Sequence, residues 1–215
     1  MNYLCSYKPI ISSAQGQAAV EQFHFPPFID GSCRREPDFE SRFPSLSALC
    51  RGQVFAPRLH EGDVIVYITV KGSYLGVKPP HWRLVSILKV IRRFESHVEA
   101  ANWYKSNDLP LPANCIVPGN NPAPFEMTNG ILKPDFKKRT RGFAPTRIIR
   151  LWDAMYQERA NKWGVFLVCE PAFLNLYNPS ILTETDMTEL FGHTPWTFNP
   201  PRISDESVVG LMKRR

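Results

Sequence analysis

The chain has 215 residues, is 43% hydrophobic and carries a formal charge of +6, so it can bury a core of its own without metals or disulfides to hold it. Cys5, Cys33, Cys50, Cys115 and Cys169 are odd in number and far apart, with no CxxC pair and no Cys/His cluster, which argues against a disulfide scaffold or zinc site and predicts reduced thiols in a cytoplasm. The sequence has no apolar run of about 18 residues and no charged head leading into an apolar stretch, so neither a membrane span nor a secretory leader is expected. From the start, YLCSY predicts a short strand, and SSAQGQAAVEQF a weak helix or loop. In PRLHEGDVIVYITVKGSY, Gly62-Asp63 predicts a turn, and the β-branched and aromatic run from Val64 to Val70 predicts a central strand. HWRLVSILKVIRRFES predicts a long strand from about Trp82 to Arg92. In SHVEAANWYKSND, Ser96 as N-cap with Glu99 three residues on is a capping-box pattern and predicts a helix.

Residues 109–136 hold six prolines and much Asn and Gly, and predict a long loop of the kind that is functional or disordered. PTRIIRLWDAMYQERANKW is amphipathic, with Ile148, Leu151, Trp152, Met155 and Tyr156 on one side, and predicts a helix. WGVFLVCEP predicts a buried strand, TETDMTELFG a short helix stopped by Gly192, and TPWTFNPPRIS an irregular closing segment. Strands and helices mix without regular βαβ alternation, so the expected fold class is α+β on a curved, largely antiparallel sheet or small barrel with flanking helices. The expectation is a single domain over 1–215: a core of about 25–105, the proline-rich loop 109–136, and a basic strip with C-terminal additions over 133–215.

The charge is concentrated in one place. Lys133, Lys137, Lys138, Arg139, Arg141, Arg147 and Arg150 face only Asp135, a local net of +6 that leaves the rest of the chain neutral. A neutral body with one basic strip is the footprint of a polyanion partner, because each neutralised phosphate releases counterions. The second dense feature is GSCRREPDFESR, residues 31–42, where Arg34, Arg35 and Arg42 surround Glu36, Asp38 and Glu40. In an extended segment the alternating carboxyls would point the same way and raise one another's pKa, as acid/base chemistry requires. Ion pairing across an exposed turn explains the same residues without chemistry.

The order of a GD turn, a strongly hydrophobic strand, a second strand and a capped helix resembles the PUA-like superfamily, which includes the ASCH, EVE and YTH domains. HEGDVIVYITV carries that likeness, and GSCRREP followed by GDVIVY is also similar to the nucleotide-modification-associated domains of phage and bacterial loci that handle modified bases. The resemblance covers roughly residues 25–105. It implies a small barrel with a pocket for a flipped, chemically modified nucleobase.

On that implication, a glycosylase would need a carboxylate to orient water and stabilise positive charge on the sugar. Asp38 is the expected catalytic residue and Glu36 the second. Arg34 and Arg35 would hold phosphate or base substituents by forked hydrogen bonds, with Glu40, Arg58, His60 and His81 as further contacts. Phe28, Tyr67 and Trp82, with Phe23, Phe25 and Tyr74, are candidate stacking platforms. Asn114, Asn120 and Asn121 could grip a base edge or simply form turns. Cys33 beside two arginines is a remote candidate nucleophile. Lys133, Lys137, Lys138, Arg139 and Arg141 would contact the DNA backbone.

No metal or cofactor is expected. The expected partner is modified DNA, of phage origin, in the cytoplasm and away from any membrane. The expected function is recognition of a flipped modified base followed by hydrolysis of its N-glycosidic bond, in defence against phages with altered cytosine. The alternatives are a non-catalytic reader that recruits a nuclease, an enzyme that modifies nucleotides or bases, and the same fold with RNA as ligand.

Overall fold

A computed structural model describes residues 1–215 apart from Trp196 and Phe198. Both positions fall in the closing segment expected to be irregular, and that part of the expectation lies outside the described residues. The strands are β1 (Asn2–Tyr7), β2 (Ser45–Ser47), β3 (Val64–Thr69), β4 (Trp82–Phe94), β5 (Phe166–Leu174), β6 (Ser180–Leu182) and β7 (Arg202–Ile203). Among the described residues they form one sheet in the order β2-β5-β4-β3-β1-β7, with β6 continuing beside the start of β4. Only β1 and β3 run parallel, and the other pairs are antiparallel. The class is therefore α+β with a largely antiparallel sheet. The sheet is open, with β2 and β7 as its edges, which corrects the small-barrel alternative.

Period-two alternation sends side chains to opposite faces. Tyr3, Cys5, Tyr7, Ile65 and Tyr67 join one apolar cluster, while Leu4, Val66 and Ile68 join another with Met187 and Leu211. The second face is covered by α5 (Glu184–Phe191) and α6 (Asp205–Met212). Because both faces are buried, β3 reads as a continuous apolar run rather than an alternating one. Its entry turn is set by Asp63, whose Oδ2 accepts from the His60 N–H at 2.9 Å, and by Gly62 at φ 90°.

The first face is covered by the chain between the parallel strands. After Tyr7 the chain forms α1 (Ala14–Phe23), runs through the charged segment and pairs β2 with β5 at the far edge, then returns to β3. This excursion carries residues 30–51 across the sheet. Above it lie α3 (Pro134–Arg139) and α4 (Pro145–Lys162), whose Phe136, Ile149, Trp152 and Tyr156 pack on Cys33 and Leu49. The remaining helix, α2 (His97–Ser106), places Ala100 and Tyr104 against Phe166 and Val168.

Several expectations change in detail. The weak segment after β1 is a ten-residue helix because the Ser13 hydroxyl accepts from the Gly16 N–H at 3.0 Å. Ser96 caps α2, yet Glu99 reaches the Glu95 N–H at 3.2 Å rather than the cap's own. The loop 109–136 contains a 3-10 turn at Phe125–Met127 and yields to α3 at Pro134. The expected core of 25–105 supplies only β2, β3 and β4 of the sheet, and β1, β5, β6 and β7 complete it from outside that range. No helix among the described residues is long and apolar enough to cross a membrane.

Candidate functional site

The charged segment is buried, and most of its charges are spent on holding the excursion in place. Arg34 forms a forked bridge to Asp153 of α4 at 2.5 and 2.9 Å and donates to the Asn120 carbonyl at 2.8 Å. Both partners are nearly sealed from solvent, with side-chain exposures of 3% and 7%. Arg35 sits at φ 45° and donates to the carbonyls of Asp30 at 2.9 Å and Met127 at 2.7 Å. Neither guanidinium is placed to hold a phosphate, because the protein interior already occupies both. Glu40 and Arg42 are the exposed members, and Glu40 lies 3.6 Å from Arg35.

Asp38 does not fit the leading catalytic role. Its Oδ1 accepts from the N–H groups of Glu40 at 2.9 Å and Ser41 at 3.2 Å, and its Oδ2 accepts from Ala113 N–H at 2.6 Å. That is a turn-forming aspartate, and it lines no part of the cavity that holds Glu36. The expected alignment of Glu36, Asp38 and Glu40 fails because the chain bends at Glu36 and again after Asp38, whose Oδ1 closes the turn through Glu40 and Ser41.

Glu36 is different. It lies on the floor of a cavity of about 620 Å³, beside Asp30 and Ser47, between the excursion and the sheet. Cys5 and Tyr67 form the sheet wall, and Trp152, Tyr156 and Arg159 the α4 wall. Trp163 closes one side, and Gly52 (φ 53°) makes room for it: a Cβ there would sit 2.8 Å from the indole ring. The Trp152 and Tyr156 rings are stacked at 6.4 Å. They come from the α4 face that the sequence pattern assigns to the core.

Three donors converge on Glu36. Oε1 accepts from Ser47 N–H at 2.6 Å, and Oε2 from Ser47 Oγ at 3.0 Å and Asn114 Nδ2 at 2.9 Å. Burial outweighs these bonds and pushes the Glu36 carboxyl up to about 8. Asp30 accepts at Oδ1 from Ser32 N–H at 2.8 Å, Ser32 Oγ at 2.5 Å and Glu36 N–H at 3.1 Å. Burial raises it to about 6, and its charge helps to raise Glu36. The pair therefore holds one proton near neutral pH, with Glu36 as the acid and Asp30 as the carboxylate.

The other expected site residues scatter. Tyr67 alone among the candidate platforms lines the cavity. Phe28 is core, Trp82 packs in the cluster on the opposite sheet face, and Tyr74 donates its hydroxyl to the Val70 carbonyl at 2.6 Å. Phe23 and Phe25 pair with each other beside α1. His81 is buried against Arg83 Nε at 2.9 Å, while Arg58 and His60 are exposed and line no part of the cavity. Asn114 grips Glu36 instead of a base edge, and Asn120 ties the carbonyls of Pro112 and Cys115. Asn121 is exposed. Cys33 is buried with its thiol pushed far up by burial, which removes it as a nucleophile. Among the described residues no group of three or more His, Cys, Asp or Glu is arranged to hold a metal ion.

The basic strip lies on α3, the turn after it and the start of α4. Phe136 lines the cavity from α3, while Lys137, Lys138, Arg139 and Arg141 are exposed. None of these four forms an ion pair among the described residues. Lys133 stands at the cavity itself. Comparisons of the chain with family models, with curated proteins and with solved structures find no match.

Sequence reasoning missed Asp30, Ser47, Arg51, Trp152, Tyr156, Arg159 and Trp163 as cavity residues. Asp30 was the most accessible of these, since it stands immediately before GSCRREP. The α4 residues carried no such signal, because a face that lines a cavity has the same periodicity as one that fills a core.

Proposed function

We propose that the protein acts on DNA, takes a modified nucleobase extruded from the helix into this cavity, and hydrolyses its N-glycosidic bond. The observation that carries the reading is the pair of buried carboxyls, Asp30 and Glu36, on the floor of an aromatic-walled cavity next to an exposed basic strip. Extrusion costs a few kcal/mol, and stacking returns roughly 1 to 3 kcal/mol per base. Tyr67, Trp152 and Tyr156 offer the surfaces for it. The cavity volume corresponds to about twenty water volumes of about 30 Å³ each, more than an unmodified pyrimidine fills. The likeness of GSCRREP and GDVIVY to modification-associated domains points the same way.

Glu36, protonated below about pH 8, gives its proton to the departing base. Asp30, ionised above about pH 6, stabilises the positive charge on the sugar and takes a proton from the water that adds to the anomeric carbon. The base leaves with the bonding electron pair, and the sugar keeps the water oxygen. The second reading, a reader without chemistry, is favoured by the three donors that fix Glu36, since such a carboxyl is also suited to hydrogen-bonding a base edge.

One experiment separates the two. The purified protein is incubated with phage DNA containing hydroxymethylated or glucosylated cytosine and then treated with mild alkali. Strand breaks with the wild type, and tight binding without breaks for Glu36→Gln, support hydrolysis. Tight binding without breaks in the wild type leaves the reader, and no binding to modified DNA removes both.

A further inference from the structure

The charges around the cavity are sorted by depth. Asp30 and Glu36 are buried at its floor, whereas Lys8 and Lys133 are exposed and Arg51 and Arg159 half-buried. These four cations come from separate parts of the fold: the end of β1, the segment after β2, the approach to α3 and the last turn of α4. Lys8, Lys133 and Arg159 form no ion pair among the described residues. Two of the guanidiniums are anchored by main-chain oxygens. Arg159 Nη1 donates to the carbonyls of Leu49 and Cys50, and Arg51 Nη2 donates to the Ser6 carbonyl at 2.7 Å. Arg159 thus keeps Nε and Nη2 for an outside acceptor. A guanidinium held in place by carbonyls loses little rotamer freedom when it takes an anion, and its fork matches a phosphate group.

We propose that Arg159, with Lys8 and Lys133, forms a phosphate site at the cavity mouth that takes the phosphate of the nucleotide whose base occupies the floor. The inference rests on the base-in-cavity reading and adds the ligand class: a phosphorylated nucleoside rather than a free base or nucleoside. The Asp30 carboxylate at the floor would repel a phosphate, and the cations at the mouth would attract it, so a nucleotide enters in one orientation. This site differs from the strip on α3, which is exposed and open to any stretch of backbone. The phosphate can belong to a DNA strand or to a free nucleotide.

The test is calorimetric titration with hydroxymethyldeoxycytidine, with its 5′-monophosphate, and with a duplex carrying that base. The wild type is expected to bind the monophosphate at least tenfold tighter than the nucleoside, with the difference shrinking as salt rises. In Arg159→Ala the ratio of monophosphate to nucleoside affinity, taken within the variant so that any change in the cavity wall cancels, should fall to about one. Lys8→Ala/Lys133→Ala removes two exposed side chains that hold no part of the fold, and should cut the difference at least threefold. If monophosphate and nucleoside bind equally in the wild type, the phosphate site is overturned and the base cavity stands. If neither binds and the duplex does not bind either, both fall. Replacing the phosphate beside the modified base by a neutral methylphosphonate separates the sources. A loss equal to that of Arg159→Ala, and no further loss when the two are combined, assigns the site to a DNA strand. Unchanged duplex affinity beside a tenfold gain for the free monophosphate assigns it to a free nucleotide.

Discussion

Glu36→Gln replaces the floor carboxyl by a neutral side chain of nearly the same shape, and the structure fixes what this does to stability at each pH. A carboxyl raised to about 8 in the folded protein, against about 4.5 when unfolded, keeps a proton that the unfolded chain has already lost. The folded state therefore binds more protons throughout that interval, and stability falls as pH rises through it. The slope approaches 1.4 kcal/mol per pH unit, or about 2 kcal/mol between pH 6.5 and 8. Asp30, raised to about 6, finishes titrating only above about pH 7, and it and the histidines contribute alike to both proteins. The neutral acid and the neutral amide should give similar stabilities only below about pH 4.5, so at pH 6.5 the variant should already be the more stable, by about 3 kcal/mol. Between pH 6.5 and 8 the variant's advantage should grow by about a further 2 kcal/mol. Urea unfolding followed by far-ultraviolet circular dichroism at the two pH values measures this directly. If the wild type and variant lose stability in parallel, Glu36 is ionised across the range and cannot serve as the acid.

The same two carboxyls predict a bell-shaped pH dependence of base release, with a rising limb near 6 as Asp30 ionises and a falling limb near 8 as Glu36 loses its proton. A profile that keeps rising above pH 8.5 would rule out Glu36 as the proton donor. Asp153→Ala strands Arg34 as a buried cation and should cost about 3–5 kcal/mol in thermal or urea unfolding. A cost below about 1 kcal/mol would mean that the bridge does not hold α4 to the excursion. Neutralising Lys137, Lys138 and Arg139 together should weaken binding to all DNA sequences alike and flatten its salt dependence, by a slope of about 0.9 for each phosphate that is no longer neutralised. Unchanged salt dependence would return the strip to a solvated surface.

The elements with strong local signals were readable: β3 and β4 from their apolar runs, α2 from Ser96, and α4 from its amphipathic period. β2, β6 and β7 are two or three residues long and leave no periodic trace, so only their partners in space define them. α6 follows the Ser204 cap, whose hydroxyl accepts from Ser207 N–H at 3.1 Å, a short-range cue in a segment otherwise read as irregular. The candidate site was half legible. Glu36 stood out as part of a dense charged segment, but its neighbours' roles turned on partners far along the chain. Arg34 meets Asp153 across 119 residues, and Asp38 meets Ala113 across 75. Nothing local distinguishes an arginine that binds a ligand from one that holds two parts of a fold together. The stacking candidates stand before the charged segment, on the GD hairpin and after the Pro-Pro break, whereas α4 supplies Trp152 and Tyr156 to the cavity's aromatic wall.

The most direct measurement is the structure of the Glu36→Gln protein bound to a duplex with a single glucosylated hydroxymethylcytosine. The account predicts that base unstacked from the helix and seated between Tyr67 and Trp152, with its edge toward position 36 and its phosphate beside Arg159. A bound duplex with all its bases stacked, and nothing of it inside the cavity, would contradict the account.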